Sequence, residues 1–164
     1  LLLTDRELLK KDAGYRMNPP LRTEKDRLAM IEALRDGTID AIATDHAPHT
    51  PEEKADFLKA PNGSIGMETS FSASYTALVK TGVLTLPALI ERMSVRPAQI
   101  LGIEAGVIEA GAPADIALID ENAVWTVDPD KLHGKSRNTP FKGMTLHAKV
   151  RATVCGGRIV YSEL

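Results

Sequence analysis

The sequence predicts an α/β fold followed by a smaller β-rich part. An amphipathic helical pattern over residues 23–36 leads directly into a short apolar run, residues 39–44, that is typical of a buried strand. A helix followed by a buried strand is the order found in parallel α/β layers. After residue 103, Gly and Pro residues separate several short β-like runs. We therefore expect two parts, residues 1–102 and residues 103–164.

Capping residues and apolar spacing predict the individual elements. Thr23 is the predicted N-cap of the first helix, because Asp26 follows three residues later, and Gly37 is its predicted stop. Two or three further helices are predicted, roughly over residues 68–81, 86–94 and 97–101, the last opened by Pro97. Strands are predicted within residues 115–120, 123–127 and 147–161, with Gly156-Gly157 as a turn.

Composition excludes several classes of protein. The 164 residues carry a formal net charge of -2, and Lys and Arg are scattered among acidic residues, so nucleic-acid binding is not expected. No apolar stretch approaches the roughly 20 residues that span a bilayer. The single cysteine, Cys155, cannot form an internal disulfide, which favours a cytoplasmic protein. Because Cys155 lies in an apolar run, we expect a packed thiol.

The run Asp45-His46-Ala47-Pro48-His49 is the main candidate for chemistry. An acid follows the predicted strand directly, and in α/β barrels the carboxyl ends of strands face the active site. A carboxylate in that position can ligate a metal or accept a proton. The alternative is that Asp45 caps the next turn while loop carbonyls satisfy both histidines. The spacing alone leaves both interpretations open.

The chain has too few further ligands for a complete metal centre. The other histidines, His133 and His147, lie in the β-rich part without spaced partners. Since a catalytic zinc takes about three protein ligands, either this is not a metal site or most ligands lie outside these residues.

Two segments are candidates for ligand contact. Asn18 stands beside two prolines, where its amide can pair with a ligand or cap a turn. The turn Gly63-Ser64-Ile65-Gly66, within the long loop of residues 46–66, lacks a phosphate-binding pattern. It predicts either close backbone approach to a ligand or simply a tight turn.

Three segments of the chain resemble the bacterial dihydroorotases: Met17-Asn18-Pro19-Pro20-Leu21-Arg22, the run from Ile42 to Thr50, and Ala60-Pro61-Asn62-Gly63 with Gly66-Met67-Glu68-Thr69. Two more segments, Ser94 to Ala98 and Glu109 to Ile116, resemble segments shared across the wider amidohydrolase superfamily. Hydantoinases and allantoinases tend to have other residues where His49 stands.

The resemblance implies a fold and an activity. The fold is the C-terminal portion of a TIM-type (β/α)8 barrel followed by part of a small composite β-sandwich. The activity is the zinc-dependent interconversion of N-carbamoyl-L-aspartate and L-dihydroorotate in pyrimidine biosynthesis, with two zinc ions. Asp45 would be both a metal ligand and the general acid/base. Asn18, His49 and the backbone of Asn62 and Gly63 would contact the substrate.

The resemblance also implies that the remaining zinc ligands lie upstream of Leu1. We therefore expect these 164 residues to be an incomplete enzyme, inactive and without zinc when alone. Asn62 departs from the family, where phenylalanine is usual, although a backbone contact tolerates this change. Two alternatives remain: a non-catalytic partner of aspartate transcarbamoylase, or a hydantoinase or allantoinase. The expected partners are the substrate, the missing N-terminal part, and a second copy or aspartate transcarbamoylase.

Overall fold

The computed structural model describes residues 1–164, in which a helical and loop-rich first part leads into an antiparallel sheet. The helices are α1 Glu24–Asp36, α2 Ser70–Ser74, α3 Leu86–Ile90 and α4 Arg96–Leu101, and the strands are β1 Ile116–Thr126, β2 Thr145–Cys155 and β3 Arg158–Ser162. Short 3-10 helices cover Asp5–Lys10, Ala13–Tyr15 and Pro129–Lys131, and π-helical turns cover Tyr75–Val79 and Glu91–Val95. None of the helices has the length and apolar character required to cross a membrane.

Helix α1 confirms the predicted capping. The Thr23 hydroxyl accepts the Asp26 amide at 3.3 Å, and the Asp26 carboxylate accepts the Thr23 amide at 3.2 Å. Gly37 ends the helix with a φ of 86°, a backbone conformation that glycine adopts without steric cost. Local sequence alone therefore sets both ends of this helix.

The sequence left open two or three helices between residues 68 and 101, and three is wrong, because the stretches 86–94 and 97–101 form one continuous helical segment. Helix α3, the π-helical turn and α4 follow one another without a break. In the turn, the Arg96 amide donates to the carbonyl of Glu91, five residues earlier. The wider turn lets the helical backbone continue past Pro97, which lacks an N–H and whose ring crowds the preceding turn.

The prediction of a buried strand at residues 39–44 is also wrong. This segment is irregular, and Ala43 and Thr44 are exposed. The Ile42 amide donates to the carbonyl of Arg92 at 3.0 Å, and the nearest strand-like pairing is an isolated bridge between His46 and Ser64. A strand needs a neighbouring strand for its ladder of hydrogen bonds, and no segment of the first part supplies one here.

The β-rich part forms a three-stranded antiparallel sheet in the order β1-β2-β3. The two runs predicted at residues 115–120 and 123–127 join into β1, with a register irregularity between Asp120 and Val124. Gly156-Gly157 forms the predicted turn, with φ angles of 53° and 77°. Cys155 is exposed beside this turn, so the expected packed thiol is wrong: the apolar run bends into a hairpin whose end faces solvent.

Helix α2 packs against β2 and joins the two parts. Ala73, Val127 and Leu146 form one buried cluster. The Ser72 hydroxyl donates to the carbonyl of Ala148 at 2.7 Å, and the His147 amide donates to the Thr76 hydroxyl at 2.8 Å. The parts of the chain before and after residue 103 are therefore packed against each other.

A second buried cluster makes a stability prediction. Leu78 and Leu89 are fully buried together with Leu34 and Ala77. Leu78→Ala should lower the free energy of unfolding by about 2–5 kcal/mol, because it removes apolar contacts and leaves a cavity. Urea unfolding measures this. Leu9→Ala is the control, since Leu9 is 83% exposed. Equal losses in both variants would contradict the assignment of this core.

Candidate functional site

Asp45 has an unusual backbone and a free side chain. Its φ is 45°, in the left-handed region that non-glycine residues seldom adopt. The residue is exposed, and its carboxylate makes no hydrogen bond, so it does not cap the following turn. The capping alternative is therefore wrong for Asp45. The carboxylate can accept a proton or ligate a cation without breaking an existing contact.

His46 is fixed by the far side of the loop. Its Nδ1 accepts the amides of Gly66 at 3.1 Å and Met67 at 3.3 Å. An acceptor nitrogen carries no proton, so the ring proton of His46 lies on Nε2. The partners are amides and not carbonyls. His46 thus links the end of the irregular segment 39–45 to the residues just before helix α2.

His49 lies against Asn62 and Gly63. Its Nε2 lies 3.0 Å from the carbonyl oxygen of Asn62, to which it donates. Its Nδ1 lies 3.6 Å from the Glu53 carboxylate. The Thr50 amide, followed by the charge of His49, holds the pKa of Glu53 below its ordinary value against the effect of burial. This loop carbonyl contact is also what the alternative interpretation of the histidines expected.

Gly63 occupies a position where no side chain fits. Its φ is 133°, and a Cβ atom there would lie 2.6 Å from the Cβ of Ala47 and 3.1 Å from Nε2 of His49. Two arms of the loop therefore pass each other at the closest distance that backbone allows. This approach is between the two arms of the loop, and the predicted approach of the backbone to a ligand stays a prediction.

Asn18 is exposed and makes no hydrogen bond. The segment just before it is nevertheless tied to the loop through Arg16. The Arg16 guanidinium donates to the carbonyl of Phe57 at 2.7 Å and to the Asn62 side chain at 3.3 Å. The Gly63 amide donates to the carbonyl of Arg16 at 3.0 Å. Of the five predicted site residues, His49, Asn62 and Gly63 are brought into contact, and Asn18 and Asp45 are not bonded to them.

Lys54 is a residue that sequence reasoning missed. Its Nζ donates to three backbone carbonyls, of Ala13 at 3.2 Å, Arg16 at 3.2 Å and Pro61 at 2.7 Å. Burial, followed by the charge of Arg16, lowers the pKa of Lys54. Lys54 thereby joins the middle of the loop and Pro61 to the segment before Asn18. Its partners are backbone atoms, so no residue pattern announces them.

Asn138 is the second residue that was missed. It is 8% exposed. Its Nδ2 donates to the carbonyls of Ala47 at 3.0 Å and Gly63 at 3.2 Å, and its Oδ1 accepts the His49 amide at 3.2 Å. A residue of the β-rich part thus holds both arms of the loop.

Glu68, at the start of the helical region after the loop, anchors the turn that leads to Asn138. Its carboxylate accepts the His133 amide at 2.9 Å, the His133 ring at 3.0 Å and the Gly134 amide at 3.2 Å. Burial alone would raise the pKa of Glu68, but these donors outweigh burial and hold the pKa below its ordinary value.

This shift predicts the pH dependence of stability. Because the pKa is lower in the folded state, the contribution of Glu68 is present at neutral pH and is lost as the pH falls below about 4.5. Urea unfolding from pH 7 to pH 3 should show a steeper loss for the wild type than for Glu68→Gln. Parallel curves for the two proteins would contradict this role of the carboxylate.

The chain also matches the model of a known protein family. The model of the amidohydrolase family matches residues 4–160. The chain belongs to the amidohydrolase family.

Two relatives that match nearly the whole chain are dihydroorotases. The dihydroorotase of Geobacter metallireducens is 52% identical over 162 residues, which are 98% of this chain and 38% of that protein. The dihydroorotase of Bacillus caldolyticus is 49% identical over 164 residues, or 99% of this chain and 38% of that protein. The chain therefore spans about 38% of the length of these relatives. The resemblance to the dihydroorotases is confirmed.

Solved structures of hydantoinases share the fold. The L-hydantoinase of Arthrobacter aurescens superposes with a TM-score of 0.91 at 29% identity, covering 98% of this chain and 37% of that one. The dihydropyrimidinase of Brevibacillus agri gives a TM-score of 0.91 at 28% identity, covering 99% of this chain and 37% of that one. The arrangement of four helices and a three-stranded sheet is thus part of an amidohydrolase fold.

The amidohydrolase chain supplies one free ligand position and not a whole metal centre. No three His, Cys, Asp or Glu side chains converge on a common point. The Asp45 carboxylate fits one position in the ligand set of a zinc ion, which takes three or four ligands. His46 and His49 both use ring nitrogens on backbone groups.

Proposed function

We propose that this chain serves in a dihydroorotase, a cyclic amide hydrolase that interconverts N-carbamoyl-L-aspartate and L-dihydroorotate. The observation that carries the proposal is the free Asp45 carboxylate, which directly follows the apolar segment 39–44 and borders the loop holding His49 and Gly63. The 52% identity to the Geobacter metallireducens dihydroorotase supports it. Retention of a free carboxylate here favours catalysis over a non-catalytic partner of aspartate transcarbamoylase.

In the proposed reaction Asp45 moves one proton. As a water oxygen bonds to the ring amide carbon, Asp45 accepts the proton that the water loses. When the carbon–nitrogen bond breaks, Asp45 passes that proton to the departing nitrogen. Bound zinc would lower the pKa of the water to about 7 and polarise the carbonyl. Asp45 would also be one of the zinc ligands.

Substrate contact is assigned to Asn18, His49 and the backbone of Asn62 and Gly63. The Asn18 amide is free of internal partners, which suits it to pair with a ring amide. His49 already sits 3.0 Å from the Asn62 carbonyl, so it fixes that peptide group while its ring lines the loop. These residues bind and orient the ring, and Asp45 alone handles the proton.

The proposal also covers architecture. We assign residues 1–102 to the C-terminal portion of a TIM-type barrel and residues 103–164 to part of a β-sandwich. A cavity of about 370 Å³ lined mostly by apolar residues, among them Leu1, Met17, Leu34, Ile42 and Phe141, supports a further layer packed against the first part. Such a layer would supply strand partners for residues 39–44 and the remaining zinc ligands.

The test replaces the matching 38% of the Geobacter metallireducens dihydroorotase by this chain. We expect the chimera to hydrolyse dihydroorotate faster than it hydrolyses hydantoin or allantoin. It should lose this activity when zinc is chelated. The chain alone should be inactive. Preference for hydantoin would instead favour a hydantoinase, to which the solved-structure likeness points. Strong activity of the chain alone would contradict the need for residues beyond it.

His49→Ala in the chimera should raise KM for dihydroorotate with a smaller effect on kcat, because His49 is assigned to binding and not to proton transfer. Steady-state kinetics over a range of substrate concentrations measures both constants. Glu53→Gln is the matched control, since it removes the charge beside Nδ1 and leaves the ring in place. A fall in kcat with unchanged KM would give His49 a different role.

A further inference from the structure

Asn138 joins the two parts of the chain at the loop proposed to bind substrate. It lies 91 residues from Ala47 and 75 residues from Gly63, yet its amide donates to both carbonyls. Its oxygen accepts the His49 amide, and its own backbone carbonyl accepts the Ile65 amide at 3.2 Å. Four contacts from one buried residue thus span both arms of the loop.

We propose that Asn138 is a positioning residue for the reaction at this site: it fixes the peptide groups around Gly63 and the backbone of His49, and through them the substrate-binding surface. The proposal rests on the proposed dihydroorotase function. Asn138 touches no reacting atom, so it acts through the loop and is not catalytic.

Successive peptide groups of the loop are held by different partners. The peptide between Asn62 and Gly63 is held on both sides, since its carbonyl accepts from His49 and its amide donates to Arg16. The next carbonyl, of Gly63, accepts from Asn138. A glycine with a φ of 133° has wide conformational freedom, so these bonds are what keep its peptides in one orientation.

Only an amide side chain satisfies this environment. Asn138 donates two hydrogen bonds and accepts one from the loop backbone. Aspartate would accept but not donate, and leucine of similar shape would do neither. In either case the half-buried carbonyls of Ala47 and Gly63 would lose their partner, which costs free energy.

The segment that carries Asn138 is itself anchored. Glu68 binds the turn at His133 and Gly134 through three hydrogen bonds. Arg137 reinforces this turn by donating to the carbonyls of Gly134 and Ser136. These contacts hold the turn a few residues before Asn138 and so help to position Asn138 against the loop.

The first measurement is amide hydrogen exchange on this 164-residue chain. Asn138→Leu should speed exchange of the His49 amide about tenfold or more, because it loses its acceptor. The Ile65 amide should keep its protection, since its acceptor is the backbone carbonyl of residue 138. Unchanged exchange at His49, or equal loss at both amides, would overturn the proposal.

The second measurement is kinetic and uses the chimera described above. Asn138→Leu should raise KM for dihydroorotate by about 10-fold to 100-fold, with a smaller change in kcat. Thr139→Val is the matched control, because Thr139 is equally buried and its hydroxyl serves only the Phe141 amide. The same rise in KM in both variants, or none in Asn138→Leu, would overturn the positioning role.

The two measurements separate this inference from the proposed function. If the unaltered chimera turns over no dihydroorotate, the proposed function fails, and the exchange experiment still decides whether Asn138 fixes the loop. If the chimera is active, and Asn138→Leu matches the unaltered chain in exchange and the unaltered chimera in kinetics, the proposed function stands and the positioning role is wrong.

Discussion

Asp45→Asn in the active chimera is expected to lower kcat for dihydroorotate by about 10²- to 10⁴-fold, the usual contribution of a positioned general acid/base. Asparagine keeps the size of the side chain and tolerates the left-handed backbone that Asp45 adopts with a φ of 45°. It cannot accept the proton of the attacking water. KM should change less than kcat, since Asp45 is not assigned to substrate contact.

The free side chain of Asp45 allows an effect on activity to be measured without an effect on stability. Because its carboxylate has no internal hydrogen bond, Asp45→Asn should leave urea unfolding unchanged. Asp40→Asn is the matched control, since Asp40 is also exposed in the same segment and has no assigned role. A near-normal kcat in Asp45→Asn would remove the general acid/base assignment. Loss of zinc from the variant, measured by metal analysis, would show that its role as a ligand also contributes.

The parts of the fold that sequence predicted well depend on neighbours in sequence. Thr23, Asp26 and Gly37 set the ends of α1 through contacts within a few residues, and Gly156-Gly157 sets a two-residue turn. The predicted strand at residues 39–44 is wrong because a strand depends on contacts with residues distant in sequence. Its apolar pattern reports what the segment would bury, whereas strand formation depends on a partner elsewhere. The π-helical turn before Pro97 likewise leaves no signature in composition.

The candidate site shows the same division. Asp45, His49 and Gly63 were predicted because reactive or permissive residue types stand at informative places in a short stretch. Asn138 is an ordinary amide in a polar stretch, and its partners are backbone groups 75 and 91 residues away. Its function comes from the packing that brings the β-rich part onto the loop. Residues proposed to act on a ligand are thus easier to find from sequence than residues proposed to position them.

Gly63→Ala should lower activity strongly, although no reactive group is removed. The new methyl carbon would lie 2.6 Å from the Cβ of Ala47, far inside van der Waals contact, and 3.1 Å from Nε2 of His49. The two arms of the loop must separate to admit it. This movement would break the bond between His49 and the Asn62 carbonyl and the bond from Asn138 to the Gly63 carbonyl.

For a displacement of about 1 Å in substrate-positioning groups, we expect kcat/KM of Gly63→Ala to fall by about 100-fold. The unfavourable φ should also cost about 1–3 kcal/mol in the free energy of unfolding. Gly111→Ala separates these effects, because Gly111 has a φ of 95° but no atom within 4 Å of the added carbon. That control should lose stability without losing kcat/KM. Full activity in Gly63→Ala would show that the loop yields freely and that close approach at Gly63 does not shape the site.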